Sequence, residues 1–276
     1  MLIFAFDAGG DDATEMLTVA CFASSAKDWD SFSVAWKQRL AQDGIEFFRA
    51  VDVNSFRGPF EHWFDKPDRE ALRRSLLSDL MEILKAHAYH RFACTIINKE
   101  FQQMSEELRE QFALCTYSLA ARTCEKYARL WLMEEWRTSP EMPSALIFEA
   151  GDRGYGKLQE RLANDPGHIL PNVRPKKDIV RDDKSIEQYG FVPLQAADWL
   201  AWEVNRATRD FYEGKLESES QLRWPMQEFL RYPHGHMGIY TSEDIKEMES
   251  GMELQNKIVE WETAIGLGHK KSRSAT

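Results

Sequence analysis

Two short apolar runs that each end in an acidic residue constrain the fold of this chain more than any other feature. Residues 2–6 (LIFAF) run into Asp7, and residues 144–148 (SALIF) run into Glu149. Apolar runs of this length, bounded by turn residues, are typical of strands that are buried inside a sheet. Small residues follow each acid, which indicates that both strands end in turns. The sequence therefore predicts a buried sheet with carboxylates at two of its strand ends.

A helix near residue 200 supplies a third acid. Residues 193–204 (PLQAADWLAWEV) place Leu, Ala and Val at helical spacing, so one side of this helix must face a core. Asp198 lies at the edge of that apolar side. A carboxylate in such surroundings is costly unless a cation, a hydrogen-bond donor or a proton compensates it. Asp198 therefore requires a partner, and a metal ion is one candidate.

The remaining pattern joins early strands to later alternating helices and strands, which points to an α/β or α+β fold with a mixed central sheet. Residues 2–6 and 16–23 are close enough in sequence to pair as a hairpin. Further strands are expected at residues 46–53, 92–98, 144–149 and 178–181. Helices are expected at residues 28–42, 67–87, 106–137 (one helix, or two joined end to end), 155–163, 193–212 and 243–265. The length fits one large domain, or a domain with an appended helical piece.

Composition excludes several classes of protein. In the 276 residues, a hydrophobic content of 43% and nine tryptophans argue against disorder. The net charge of −10 argues against a surface that coats nucleic acid indiscriminately, although a local basic groove remains compatible with it. The four cysteines lack CxxC spacing, which favours buried thiols in a reducing cytosol. The first residues do not form a signal peptide and no stretch is long enough to span a bilayer, so we expect a cytoplasmic protein without a membrane partner.

The acids at the strand ends and on the late helix could share a metal ion. If the strands that end in Asp7 and Glu149 are parallel neighbours, their carboxyl ends form the crevice where open α/β sheets bind ligands. Asp198 could converge on the same point, and Asp152 is a further candidate ligand. Mg²⁺ or Mn²⁺ between them would offset the repulsion and support phosphoryl chemistry. An acid after a buried strand is also a common turn former, so each position has a purely structural alternative.

A basic segment precedes the Asp198 helix. Its candidates for holding substrate phosphates near the metal are Lys176, Lys177, Arg181 and Lys184. Gln195, one turn before Asp198, could orient that carboxylate or contact the substrate. The alternatives are a solvated loop of mixed charge for the basic segment and a helix cap for Gln195.

Two short motifs resemble those of a known family. FDAGG at residues 6–10 and LQAAD at residues 194–198 resemble the first strand and the late helix of the domain of unknown function 3800 family, which typically begins with an IDESG strand. The resemblance covers residues 2–209 and implies a ribonuclease-H-like fold and a metal-dependent nuclease or nuclease-derived protein. It matches Asp7 and Asp198 to the family's acids, with Glu149 filling the acid-after-strand position. Ala8 stands where the family usually has Glu, so one expected carboxylate is missing.

Taken together, these features predict a ribonuclease-H-like α/β domain at residues 1–213. A helical C-terminal extension with a disordered basic tail is expected at residues 214–276, and its helix is a candidate contact surface for a homo-oligomer. The function expected is hydrolysis of RNA or DNA, with Asp7, Glu149 and Asp198 as catalytic residues, Mg or Mn as cofactor, and Asp152 as an additional ligand. Two alternatives stay open: a non-catalytic binding or interaction protein on the same scaffold, which Ala8 favours, and a metal-dependent hydrolase of nucleotides or small phosphoesters.

Overall fold

The apolar runs predicted as strands at residues 2–6, 16–23, 92–98 and 144–149 form strands of one mixed sheet. A computed structural model of the chain describes residues 1–10, 13–110, 115–135, 144–152, 154–163, 172–177, 179–181, 187–232 and 235–249. Within these residues the strands are β1 (Leu2–Gly9), β2 (Met16–Ser25), β3 (His90–Ile97), β4 (Ser144–Glu149), β5 (Asn172–Arg174), β6 (Ile179–Arg181), β7 (Glu187–Tyr189) and β8 (Gly235–Tyr240).

The central sheet has six strands in the order β5-β4-β1-β2-β3-β8. β1 pairs antiparallel with β2, and β2 pairs antiparallel with β3. β4 lies parallel to β1, β5 parallel to β4, and β8 parallel to β3. Phe6 is in register with Phe148, so Asp7 and Glu149 follow at the same edge of the sheet. β6 and β7 form a separate antiparallel pair.

Helices flank the sheet, and those described are α1 (Ala26–Gln42), α2 (Ala50–Ser55), α3 (Arg69–His87), α4 (Asn98–Gln103), α5 (Glu106–Glu110), α6 (Thr116–Glu135), α7 (Tyr155–Ala163), α8 (Leu194–Tyr212), α9 (Trp224–Leu230) and α10 (Ser242–Glu249). Two 3₁₀ turns add Gly58–Trp63 and Glu219–Gln221. α8 packs on β1 and β2, while α6 packs on β2 and β3. None of the helices within the described part of the chain is both long and apolar enough to cross a membrane.

Alternation along the strands sends side chains into two cores, one on each face of the sheet. Phe22 and its neighbours pack with Trp199 and Leu200 of α8, so the apolar side of α8 faces a core as predicted. Phe6 and Cys21 point the other way and pack against α6. All four cysteines are free and buried, which confirms the prediction of buried thiols.

The strand predicted at residues 46–53 is wrong. Residues 46–49 lack regular structure, and α2 begins at Ala50. The backbone N–H groups of Phe48 and Ala50 donate to side chains of α8 instead of to a neighbouring strand. Because these bonds satisfy the backbone locally, the segment buries Phe48 without joining the sheet.

The extension at residues 214–276 that was expected to be helical also contains a strand. β8 adds a strand to the central sheet beside β3, and Met226 and Phe229 of α9 are buried in the core on the α8 side. The helix expected at residues 243–265 is α10 where the structure describes it, and residues 250–276 lie outside the described residues. Residues 106–137, expected to form one helix or two joined end to end, form α5 and α6 within the described residues.

Candidate metal centre

A pocket of about 680 Å³ opens at the edge of the sheet where β1 and β4 end. We call it the acidic pocket, and four carboxylates line it: Asp7, Glu149, Asp152 and Asp198. Its location is where open α/β sheets place their ligands, because the carboxyl ends of parallel strands meet there. The structure thus brings together all the acids that the sequence singled out as candidate ligands.

Three of these acids have the geometry of a metal-binding group. Asp7, Glu149 and Asp152 each offer a carboxylate oxygen, and these atoms all lie within 4.8 Å of one another. Asp7 is fully buried, while Glu149 and Asp152 are partly exposed. Hard divalent cations take carboxylate oxygens as ligands, so the donor set suits such an ion. These three residues could together hold a metal ion.

Asp198 is joined to Asp7 through a lysine. Lys176 Nζ lies 2.7 Å from Asp7 Oδ2 and 2.9 Å from Asp198 Oδ1. The other carboxylate oxygen of Asp198 accepts a hydrogen bond from the Ala50 backbone N–H at 2.6 Å. A cation and a hydrogen-bond donor therefore compensate this carboxylate, as its position beside an apolar helix face requires.

Gln195 positions the segment that carries Lys176. Its Nε2 donates to the Lys176 carbonyl at 2.8 Å, and its Oε1 accepts from Trp36 Nε1 and from the Phe48 N–H, both at 2.9 Å. Gln195 is only 2% exposed. Its amide therefore fixes the chain around the pocket, and its contact with substrate stays a prediction.

Burial and crowded charge raise the pKa values of the carboxyl groups. Burial raises the pKa of Asp7 well above its usual range. The positive charge of Lys176 lowers this pKa, and the negative charge of Asp198 raises it further. Burial and then the charge of Glu149 raise the pKa of Asp152 to about 7. Burial also raises the pKa of Glu149. A cation bound beside these carboxyl groups would favour their charged forms and so lower the raised pKa values.

Lys176 stays charged in spite of its burial. Burial alone would favour the neutral amine, but the carboxylates of Asp7, Asp198 and Glu149 outweigh it and raise the pKa of Lys176. The ammonium is thus a fixed positive charge at the base of the acidic pocket. It lies between two acids that the sequence had proposed as metal ligands.

Of the other basic residues predicted to bind phosphate, the structure places one at the acidic pocket. Lys177 lines the acidic pocket, and its Nζ lies 4.2 Å from the centroid of the Phe47 ring. Arg181 belongs to β6, and the structure describes its backbone alone; Lys184 lies outside the described residues. Arg49 and Tyr117 also line the pocket, and neither was predicted. The Tyr117 hydroxyl donates to Asp152 Oδ2 at 3.0 Å, a contact that depends on how α6 packs and has no signal in the local sequence.

Comparison with known proteins adds no family to this picture. No protein-family model matches the sequence, and no curated protein matches it significantly. The chemistry of the acidic pocket has to be inferred from its own residues.

Proposed function

We propose that the chain is a metal-dependent nuclease that hydrolyses nucleic-acid phosphodiester bonds with Mg²⁺ or Mn²⁺. The observation that carries this function is the approach of Asp7, Glu149 and Asp152 oxygens within 4.8 Å in a pocket with a partly buried ammonium. The strand order, with β1 to β3 antiparallel and β4 parallel to β1, is compatible with a ribonuclease-H-like fold. The resemblance of FDAGG and LQAAD to the domain of unknown function 3800 family supports the same function.

Each residue of the pocket has a distinct part in this chemistry. Asp7, Glu149 and Asp152 would hold the ion, which when bound polarises a phosphoryl oxygen and acidifies a water molecule. Lys176 donates hydrogen bonds from a fixed position and can stabilise negative charge on a phosphate that enters the pocket. Asp198 holds Lys176 in place. Lys177 is exposed at the rim and can bind a neighbouring phosphate.

The substitution Asp198→Asn tests this function, because it removes the charge that fixes Lys176 but keeps an oxygen for the Ala50 N–H. We expect Mn²⁺-dependent cleavage of labelled RNA and DNA oligonucleotides to fall by about 100-fold or more, with an unchanged melting temperature. Asp30→Asn, on the exposed side of α1, is the matched control and should cleave like the wild type. Cleavage by Asp198→Asn at the wild-type rate would contradict the proposed nuclease function.

Lys176 also favours a second candidate function, a non-catalytic binding protein on the same scaffold. Its ammonium bridges Asp7 and Asp198, where a metal ion would otherwise neutralise them. Ala8 stands where the family resemblance leads us to expect another carboxylate. In this case the lysine replaces the metal, and the pocket binds its partner without cleaving it.

Calorimetric titration with Mn²⁺ separates the two functions. A nuclease should bind the ion in a manner that Glu149→Gln weakens, and Lys176→Met should strengthen binding because a competing cation is removed. A non-catalytic protein should show no heat of binding that depends on Asp7 or Glu149. Nucleotides and bis-p-nitrophenyl phosphate, assayed beside the oligonucleotides, would reveal a hydrolase of small phosphoesters instead.

A further inference from the structure

A second pocket, of about 600 Å³, is lined by arginines from three separate helical segments. Arg73 and Arg74 come from α3, Arg206 from α8, and Arg223 from the residue before α9. We call it the arginine pocket. Guanidinium groups repel one another, so four of them around one cavity indicate a site for an anion. In a chain of net charge −10, such a cluster is a local exception to the acidic surface.

Two of these arginines lie against the ring of Trp202. Arg223 lies with its guanidinium 4.7 Å from the centroid of the Trp202 ring, and Arg206 lies 5.4 Å from the same ring. Arg223 also donates to Asn54 Oδ1. Side chains that are already ordered lose little further entropy when they bind a ligand, so this part of the pocket is pre-organised.

Nearby acids offset only part of the positive charge. Arg73 pairs with Glu70, and Arg206 Nε lies 3.6 Å from Asp210. Arg223 Nε lies 3.5 Å from Glu203, a carboxyl whose burial raises its pKa to about 7. Burial lowers the pKa of Arg223, and the guanidinium groups of Arg206 and Arg73 add to that effect against the attraction of Glu203. A bound anion would relieve the repulsion that remains.

A third pocket, of about 530 Å³, shares one lining residue with each of these two pockets. It shares Gly10 with the acidic pocket and Arg206 with the arginine pocket, and Trp202 also lines it. Asp198, Trp202 and Arg206 lie at four-residue intervals along one side of α8. The distance along the helix axis from Asp198 to Arg206 is therefore about 12 Å. A ligand that fills both pockets must therefore be longer than one phosphate group.

We propose that the arginine pocket binds a backbone phosphate of the nucleic-acid strand whose cleavage takes place in the acidic pocket, with the strand running between them past Trp202. This inference rests on the proposed nuclease function. Arginine forks bind phosphate oxygens bidentately, and aromatic rings beside basic groups are typical of grooves for single strands. Four carboxylates repel a polyanion, so a strand needs an anchor away from the acidic pocket before it can enter it.

Binding without metal tests the anchor. Fluorescence anisotropy in EDTA would measure the affinity of a labelled single-stranded oligonucleotide for the wild type, Arg74→Glu and Arg206→Gln over a range of salt concentrations. We expect about tenfold weaker binding for each variant, and a salt slope that is smaller by about one. Lys126→Glu, at an exposed site of α6 across the sheet, is the charge-reversal control and should bind like the wild type. Wild-type affinity and slope in both arginine variants would overturn the inference.

Two further measurements keep this result distinct from the proposed function. Hydrolysis of bis-p-nitrophenyl phosphate with Mn²⁺ should be the same in Arg74→Glu and the wild type, because this substrate is too short to reach the arginine pocket. An inactive wild type that still needs Arg74 to bind oligonucleotide would defeat the nuclease function and support the anchor. A poly-glutamate peptide that competes as well as unlabelled oligonucleotide would overturn the choice of phosphate as the ligand.

Discussion

Glu203 is a carboxyl group buried in the middle of α8, with only 1% of its side chain exposed. Arg223 lies 3.5 Å away and is its closest ion-pair partner among the described residues. Burial outweighs that attraction and raises the pKa of Glu203 from 4.5 to about 7. The folded protein therefore binds a proton at Glu203 more tightly than the unfolded chain does.

The pH dependence of stability follows from this raised pKa. Since the folded state holds the proton more strongly, the stability from Glu203 is full below pH 4.5 and is lost as the pH rises through about 7. Glu203→Gln lacks this loss, so its free energy of unfolding should exceed that of the wild type by about 3 kcal/mol at pH 8 and by little at pH 5. Urea unfolding at both pH values measures the difference, and Glu61→Gln on the surface reports the effect of the substitution without burial. If the difference in free energy of unfolding between Glu203→Gln and the wild type does not change with pH, the raised pKa of Glu203 is contradicted.

Single residues of the acidic pocket differ in how far the sequence reveals them. Asp7 and Glu149 were predicted to meet because each follows a buried strand, and the parallel pairing of β1 and β4 confirms the premise. Lys176 was predicted as a phosphate ligand, but its contacts with Asp7 and Asp198 join residues up to 169 positions apart in sequence. No local pattern records such a contact, because it depends on the packing of α8 across the sheet.

At the scale of elements, α8 organises the molecule. It packs on β1 and β2, holds Asp198 at the acidic pocket, and carries Arg206 to the arginine pocket. Its close approach to β1 depends on Gly9. A Cβ atom at this position would lie 2.9 Å from the Ala201 carbonyl oxygen and 3.3 Å from the Trp202 nitrogen. Both are backbone atoms of the helix, so they cannot rotate away.

Gly9→Ala should therefore push α8 away from the sheet. We expect a loss of about 1–3 kcal/mol in the free energy of unfolding, the usual cost of overpacking, and weaker Mn²⁺ binding as the pocket distorts. Gly156→Ala in α7 is the control, since a Cβ there meets nothing within 4 Å and should stabilise the helix by about 0.5–1 kcal/mol. Chemical unfolding measures the free energy of unfolding of both variants and of the wild type. Equal stability of Gly9→Ala and the wild type would show that the contact yields without cost.

Helices with strong periodicity were predicted well, while an aromatic loop was not. The bounds of α7 and the end of α8 match the expectation from the sequence, because their apolar residues recur at helical spacing. Residues 46–53 carry aromatic and apolar side chains typical of a strand, yet Phe48 and Ala50 bond to side chains about 150 positions away along the chain. Tertiary contacts override local preference there, and the sequence around the segment does not contain them.

At the scale of the whole molecule, the sheet continues beyond the part that the sequence assigned to it. β3 has a neighbour on each side, β2 from the first residues and β8 from near the end of the described chain. The GHMGIY sequence of β8 is short and contains two glycines, so its pattern gives little sign of a strand. Pairing with β3 makes this segment a strand although its own sequence pattern does not predict one. Residues far apart in sequence therefore belong to one sheet.

Truncated chains test whether the fold needs the segment beyond residue 213, where the sequence predicted the end of the domain. A chain that ends there lacks Met226 and Phe229 from the core and leaves β3 with an unpaired edge. We expect that shortened chain to be insoluble or to lack a cooperative unfolding transition, whereas a chain that ends at residue 249 keeps α9 and β8 and should unfold in one transition. Circular dichroism during thermal unfolding compares the two shortened chains with the full chain. Cooperative unfolding of the chain that ends at residue 213, near the full-length melting temperature, would show that β8 and α9 are an appendage rather than part of the central fold.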